Sequence, residues 1–349
     1  MLFPHQLRNL LKVELHRHLD CSVRLSTLLE LAPQVGIDIP LSPQQQKDLF
    51  LVTQPMKDLE SVLKKFLNTQ KLFTSTEILE RWAYEACEDA FNDGIRLIEF
   101  RYAPSFIEEG HSVGYEKIHQ AFVKGIQRAQ KKWPLSVGLI ATLQRIKSPQ
   151  LASQIVDFVI DHKEHFVGVD LADNELAQAP AAFAEAFQRA RKAGLKVTIH
   201  SGESPHPDAA KWITDSIDIL GAERIGHGVQ VIHSPAVMQT LKDKNIMLEV
   251  CPISNQLTQA FARWQDHPFQ KLYVLGVPVS INADDPGIFA TTLTDDYSVL
   301  HQVHDLQLQD FNHINQQALE ASFLSESEKQ KWRPWFLEES KLIEQGLFL

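Results

Sequence analysis

Cysteine is scarce in this chain: three in 349 residues, at positions 21, 87 and 251, with no Cys-x-x-Cys pair. That argues against a disulfide framework or a thiolate zinc site, and it fits a reducing compartment. Long apolar runs are also missing; no stretch approaches the ~20 residues of a membrane span. Nor is there a basic surplus. The formal net charge is −10, with 34 Lys+Arg against 44 Asp+Glu, which speaks against a nucleic-acid backbone or an anionic membrane as main partner. The first residues, Met-Leu-Phe-Pro-His-Gln, lack a basic stretch followed by an apolar one. No signal peptide is therefore expected, and a cytoplasmic location is. No Gly/Ser/Pro-rich linker divides the chain, so a single domain over 1–349 is expected. Hydrophobic content of 44% and charged content of 22% supply ample material for a large α/β core.

What the chain does have is a rhythm of short apolar runs, each followed by a helical pattern. The runs are 12–19, Ile95–Tyr102, 135–144, 167–172, 196–200, 224–229, 246–251 and 277–282. The punctuation agrees. Thr74-x-x-Glu77 reads as a capping box opening a helix that closes at Gly94, Ser148-Pro149 as a cap and first turn, and Gly194 and Gly221 as stops. Eight βα units in about 300 residues predict a (β/α)8 TIM-type barrel rather than an open doubly wound sheet. From 290 onward, helices are expected to cover the barrel. Segment 37–75 is longer than an ordinary barrel connection and reads as a helical insertion after the first strand. Its clearest amphipathic stretch, 56–66, sets Leu59, Val62, Leu63 and Phe66 at helical spacing. They form either a stripe packed on the barrel or the underside of a lid over its mouth.

Barrel enzymes place their chemistry at the C-terminal ends of the strands. The first run ends in His16-Arg17-His18-Leu19-Asp20 and the fifth in His200-Ser201-Gly202-Glu203; the sixth carries His227, and the eighth ends in Asn282-Ala283-Asp284-Asp285. In a strand, residues i and i+2 share a face at a Cα separation of roughly 6–7 Å. His16 and His18 can thus converge on one ion while Arg17 faces the other side. With His200 and Asp284 they make three imidazoles and one carboxylate, a set suited to Zn²⁺ with a position open for water. The fourth run, Val167-Gly168-Val169-Asp170-Leu171-Ala172, has no lysine that could be carboxylated to bridge two metals, which favours a single ion. His5, His111, His119, His162, His165, His301, His304 and His313 fall in helical or loop context and receive no role. His206, His233 and His267 lie near helix starts, where they either line the mouth or simply pack.

These residues fall in ordered motifs: Glu-Leu-His-Arg-His-Leu-Asp at 14–20, Phe-Arg-Tyr-Ala-Pro at 100–104, His-Ser-Gly-Glu at 200–203, Gly-His-Gly at 226–228, Glu-Val-Cys-Pro-Ile-Ser-Asn at 249–255 and Asn-Ala-Asp-Asp-Pro at 282–286. From about residue 12 to 290 the chain resembles the adenosine deaminase family of the metal-dependent amidohydrolases, as a divergent member. The resemblance implies hydrolytic deamination of adenosine or 2′-deoxyadenosine with release of ammonia. It implies one Zn²⁺ per chain on His16, His18, His200 and Asp284, and a catalytic set of Glu203, His227 and Asp284. Glu203 matches the residue that delivers a proton to purine N1, and His227 the one that orients or deprotonates the attacking water. Asp285 matches the acid bonded to N7 and Asp20 the one that meets the ribose 5′-hydroxyl. Leu59, Val62, Leu63 and Phe66 match the apolar gate. The chemistry asks for such types on its own account, because water is a poor nucleophile, the purine ring is electron-rich and the amine leaves badly. For its role Glu203 must hold a proton, and burial beside acids and the gate is expected to favour that.

Two positions depart from the family pattern. Asp173 follows Asp170-Leu171-Ala172 where the family usually has a glycine whose N–H meets purine N3. It either points to solvent and bonds locally, or alters recognition of the substrate, and it is counted among the substrate-binding candidates. Cys21 replaces another common glycine. The expected partner is a small purine nucleoside or base. Adenine, another aminopurine or a modified adenosine is the alternative substrate, and a catalytically silent relative the third reading. AMP is disfavoured, since no Lys/Arg cluster or glycine-rich phosphate loop accompanies the motifs. A Pro-Cys-x-x-Cys signature is missing, unlike the cytidine- and tRNA-type zinc deaminases. Nothing in the sequence reports on oligomeric state.

Overall fold

In the computed structural model, eight parallel strands follow one another in sequence order around a nearly closed barrel. They are β1 Lys12–His18, β2 Ile95–Tyr102, β3 Ser136–Gln144, β4 Phe166–Ala172, β5 Lys196–Ser201, β6 Arg224–His227, β7 Met247–Val250 and β8 Val279–Ile281. The structure describes residues 2, 4–55 and 59–348, without the side chains of residues 4 and 59–63. Most strand positions are buried on both faces, the pattern of a parallel sheet wrapped in helices. That is why the runs read as continuous apolar stretches. Among the described residues no helix is long and apolar enough to cross a membrane.

The seam between β1 and β8 is built differently from the other joints. One bridge, Arg17 with Asp284, joins them, through His18 N–H to Asp284 O at 2.9 Å and Asp284 N–H to His16 O at 3.1 Å. Side chains replace the remaining ladder. Asn282 Oδ1 accepts from the N–H groups of Leu15 and His16 at 2.8 and 3.1 Å, and Glu14 Oε1 accepts from Ala283 N–H at 2.9 Å.

The helix before β2, Thr76–Asn92, is capped by Ser75, whose hydroxyl accepts from Ile78 N–H. The Thr74–Glu77 box is therefore off by one residue: Ser75 holds the extended backbone of an N-cap, which leaves Glu77 within the first turn. Gly94 does end this segment at φ +85°, where a Cβ would lie 2.6 Å from the carbonyls of Arg8 and Leu10, so only glycine fits. Ser148 caps Pro149–Asp161 as expected, accepting from Leu151 N–H at 3.2 Å. The insertion after β1 holds the helices Pro43–Phe50 and Leu59–Gln70; the first part of its amphipathic stretch, 56–58, lies outside the described residues.

Of the C-terminal helices, Leu308–Ala321 and Glu326–Glu344 close the N-terminal end of the barrel. Val13 N–H donates to Asn315 Oδ1 at 2.9 Å and Trp332 Nε1–H to Ser136 Oγ at 2.8 Å. Val13, Leu15, Leu97, Met247, Leu319, Trp332 and Phe336 share one apolar cluster there. Above this plug the barrel interior is charged. Ser322 Oγ donates to Glu99 at 2.7 Å, and Glu99 pairs with Arg224. Arg224 Nε reaches Glu249 Oε1 at 2.6 Å, and Arg101 joins Glu249 Oε2 at 2.7 Å to Asp170 Oδ2 at 3.1 Å. All five side chains are essentially inaccessible, so each charge depends on its neighbours for solvation. Glu99→Ala, which strands Arg224, is expected to cost about 3–5 kcal/mol in denaturant unfolding. Arg333→Ala, which removes surface pairs to Glu320 and Glu326, is expected to cost no more than about 1 kcal/mol.

Candidate active site

The strand ends bring His16, His18, His200 and Asp284 together, their potential ligand atoms all within 4.8 Å of one another. His18 Nε2 faces His200 Nε2 at 3.3 Å. Asp284 Oδ1 lies 3.2 Å from His16 Nε2 and 3.4 Å from His18 Nε2. Bonds of about 2.0–2.1 Å in a tetrahedron hold neighbouring ligand atoms about 3.3 Å apart, so this spacing fits a zinc-sized ion. His16 Nε2 is moreover buried without a hydrogen-bond partner, a cost that a ligated ion would remove. The donor set therefore fits the metal expected from the sequence.

Three of the four candidate ligands are held from behind. Glu249 Oε2 accepts from His16 Nδ1 at 2.8 Å, Asp170 Oδ1 from His200 Nδ1 at 3.0 Å, and Ser254 Oγ donates to Asp284 Oδ2 at 2.7 Å. Burial works against the Asp170 carboxylate, but His200 and Arg101 outweigh it and hold it below its ordinary range. Burial likewise opposes the charge on Glu249, and Arg101 and Arg224 overcome it. Both acids thus stay anionic, which fixes the two rings with Nδ1 as donor and Nε2 facing the centre.

His227 stands beside this group, its Nε2 3.7 Å from Glu203 Oε2 and 4.0 Å from Asp284 Oδ2. Its Nδ1 lies 3.1 Å from Asn255 Nδ2, and the Asn255 oxygen in turn meets His267 Nε2 at 3.4 Å. Of the three histidines near helix starts, His267 therefore acts from behind the site, whereas His206 stacks on Trp212 and His233 is exposed. Burial pushes His227 down to about 4. Glu203 is half-buried rather than enclosed; its Oε1 accepts from Thr258 Oγ1 at 2.8 Å. The loop carrying it hangs on Glu175, whose carboxylate accepts the N–H groups of Gly202, Glu203 and Ser204 at 2.6, 3.0 and 3.0 Å.

Three non-glycine residues here have left-handed backbone: Asp173 (φ +82°), His227 (φ +59°) and Asp284 (φ +63°). All stand at the ends of strands or just past them, where the chain must turn sharply to aim a side chain into the mouth. Asp173 occupies a glycine-like conformation. It is exposed, and its carboxylate accepts from Asn174 N–H at 2.7 Å and from Gln144 Nε2 at 3.3 Å. The local-bonding expectation is met, and the same residue also lines the cavity.

That cavity, about 290 Å³, opens over His18, His200 and Asp284; Asp20, Phe66, Asp173, Glu203, His227 and Asp285 are on its wall, and neither Lys nor Arg is among the described residues that line it. Asp20 accepts from Ala103 N–H at 3.1 Å through Oδ2, while Oδ1 is buried without a partner. Burial pushes this carboxyl up to about 7. Burial, and then the adjacent Asp284, push Asp285 well up. Cys21 is buried next to Asp285 and takes the glycine position without opening a gap. Phe66, on Leu59–Gln70, reaches the cavity; the side chains of Leu59, Val62 and Leu63 lie outside the described residues. The sequence reading missed Glu249, Asp170, Glu175, Asn255 and Thr258. For the first two a signal exists: a carboxylate in the middle of an otherwise apolar parallel strand must have a buried partner.

The family model described as adenosine deaminase matches residues 11–334. The chain belongs to the adenosine deaminase family. An adenosine deaminase from Plasmodium falciparum is 34% identical over 326 residues, covering 93% of this chain and 88% of that protein. Among solved structures, an adenine deaminase from Arthrobacter aurescens is similar at 26% identity and a TM-score of 0.84, over 96% of this chain and 99% of that one. An N6-methyl-AMP deaminase from Arabidopsis thaliana is similar at 27% identity and a TM-score of 0.83, over 97% and 99%. This deaminase is accordingly a hydrolase acting on C–N bonds. Glu175→Ala, which strips three main-chain donors of their acceptor, is expected to lower turnover by about tenfold or more through a misplaced Glu203. Steady-state kinetics beside a circular-dichroism melt would separate that loss from unfolding.

Proposed function

We propose that the enzyme deaminates adenosine and 2′-deoxyadenosine to the corresponding inosines, using one zinc ion held by His16, His18, His200 and Asp284. The observation that carries this reading is the wall of the cavity beside the proposed ligands: it is rich in acids, holds Glu203 and His227, and among the described residues has no Lys or Arg. Among the described residues a phosphate would find no cationic side chain on that wall to pair with. The unpartnered Asp20 Oδ1 supplies an acceptor for a sugar hydroxyl, which a free base lacks. These features favour a nucleoside over the adenine and N6-methyl-AMP named for the two structural relatives.

When bound, the ion supplies the positive charge that makes water a usable nucleophile near neutral pH. The chain's own groups do the rest. The Asn255 amide donates to His227 Nδ1, so the ring proton sits on Nε2 and points toward Glu203 and Asp284. His227 in this form orients the attacking water by donating to it. Glu203, steadied by Thr258, gives a proton to purine N1, which drains electron density from C6 where the water adds. Asp285 meets N7 and Asp20 the 5′-hydroxyl, and both bind rather than react. Phe66 screens the ring from solvent. Asp173 stands at the outer edge and touches the N3 or sugar side. Emptied by that transfer, Glu203 takes the proton the attacking water gives up and passes it to the former amino nitrogen; the C6–N bond then breaks to release ammonia, and the remaining hydroxyl proton returns to Glu203 as the C6 carbonyl forms.

A kinetic panel of adenosine, 2′-deoxyadenosine, adenine and AMP tests the substrate. The two nucleosides are expected to exceed adenine and AMP in kcat/KM by at least about 100-fold, a gap typical when a site built to bond a group finds it missing. Adenine or AMP as the better substrate would overturn the reading. Metal analysis should give one zinc per chain, with activity lost to a chelator and restored by zinc. Glu203→Gln should retain that zinc and lose turnover by about 10²–10⁴-fold.

A further inference from the structure

A second cavity, of about 420 Å³, lies behind the catalytic strand ends. Four cationic side chains line it, Arg8, Arg17, Arg24 and Lys47, against the carboxylates of Asp89 and Asp93. Both acids are already engaged. Asp89 takes Arg24 Nε and Nη2 at 3.0 and 2.6 Å, and Asp93 caps the helix Leu293–His304 through Thr294 N–H at 3.1 Å. The cations are less well matched. Arg17 is buried at the floor, donating through Nε to Ser22 Oγ at 3.3 Å and through Nη1 to Glu14 Oε2 at 3.2 Å. Its Nη2 has no acceptor among the described residues. Arg8 and Lys47 are exposed at the rim, and among the described residues their side-chain charges form no ion pair. Thr291 Oγ1, also on the wall, is shielded from solvent with its hydrogen-bonding capacity unused. Arg24 is also paired with Glu88 at 2.7 Å, so the uncompensated cations of this pocket are Arg8 and Lys47 at its rim.

We propose that this pocket binds a phosphate-bearing small molecule, at a site separate from the substrate cavity. A planar guanidinium with a free donor edge, joined by two unpaired cations at the rim, suits a dianion better than a single carboxylate. Val23, Leu25, Leu51 and Pro286 form an apolar wall beside the charges, and the volume exceeds what a bare anion needs. Phosphate chemistry is shared by inorganic phosphate and by a nucleoside phosphate, and the apolar wall is where an attached group would rest.

The pocket's position ties it to catalysis. Arg17 sits on β1 between His16 and His18 and bridges to Asp284. Gly287 follows the Asp284-Asp285 pair and packs so closely on the turn after β1 that a Cβ would lie 2.5 Å from Cys21 O and Val23 N. A ligand drawn onto Arg17 therefore presses on the back of the same two strand ends that carry three of the four proposed ligands.

Calorimetric titration of the zinc-loaded enzyme tests this, with saturating inosine present to fill the substrate cavity. Inorganic phosphate and uridine 5′-monophosphate are the two probes, the latter chosen because its base is not a purine. One saturable site per chain is expected for at least one probe, weakened at least tenfold in the Arg8→Ala/Lys47→Ala variant. That variant should deaminate adenosine normally in phosphate-free buffer, since neither residue belongs to the catalytic machinery. Tighter binding of the nucleotide would identify an organic phosphate as the occupant, and equal or tighter binding of inorganic phosphate the free anion. The proposal is overturned if neither probe saturates, if inosine abolishes binding, or if the double substitution leaves affinity unchanged.

Discussion

Glu249 holds four partners at once: His16 and Arg101 through one oxygen, Arg224 and Thr198 through the other. A carboxylate this deep survives only because two guanidiniums surround it, and they in turn need Glu99 and Asp170. The result is a chain of alternating charge running from the C-terminal plug to the candidate metal ligands. Removing any one member leaves an uncompensated charge in a medium of low dielectric. The barrel could have been filled more cheaply with branched aliphatic side chains, as its outer layers are. What the charges supply instead is a fixed tautomer for His16 and His200, with Nδ1 committed and Nε2 turned to the centre.

The cavity above shows the opposite economy. Asp20, Glu203, Asp284 and Asp285 crowd a small volume with no Lys or Arg among the described residues of its wall. The imidazoles are the nearby groups able to offset that negative potential within the cavity itself. Asp285 responds by holding its proton, which turns a repelling anion into a hydrogen-bond donor for a ring nitrogen. A site of this kind selects for neutral, donor- and acceptor-rich ligands. The pocket behind it is lined instead by Arg8, Arg17, Arg24 and Lys47 beside two carboxylates, so the two faces of the same strand ends offer different ion-pairing groups.

Much of this architecture was legible in the residues. Parallel strands buried on both faces write themselves as apolar runs, and the His16/His18 pair at the end of the first run marks the chemical end of the barrel. The cap before β2 slipped from Thr74 to Ser75 because adjacent hydroxyl residues differ only in backbone angle, which the sequence does not carry. The helices after 290 were expected as a covering; that two of them close the N-terminal end depends on Val13 and Trp332 meeting partners far away in the chain. Glu249 and Asp170 stood in quoted motifs without a role, since their function exists only through Arg101 and the histidine rings. Asp173 allowed two readings; it bonds locally and also lines the cavity.

The seam between β1 and β8 sets the order in which the molecule comes together. Three of the four proposed ligands, His16, His18 and His200, are present long before the chain reaches Asp284, which follows a strand of only three residues. Joining the first strand to the last is the most distant strand pairing in the barrel, and such contacts form late because loop entropy must be met first. A growing or partly folded chain thus carries an open-sided cluster of imidazoles but lacks the carboxylate that completes it. Closing the barrel and finishing the site are a single event, and an ion bound across Asp284 would act as a rivet on the joint that forms last.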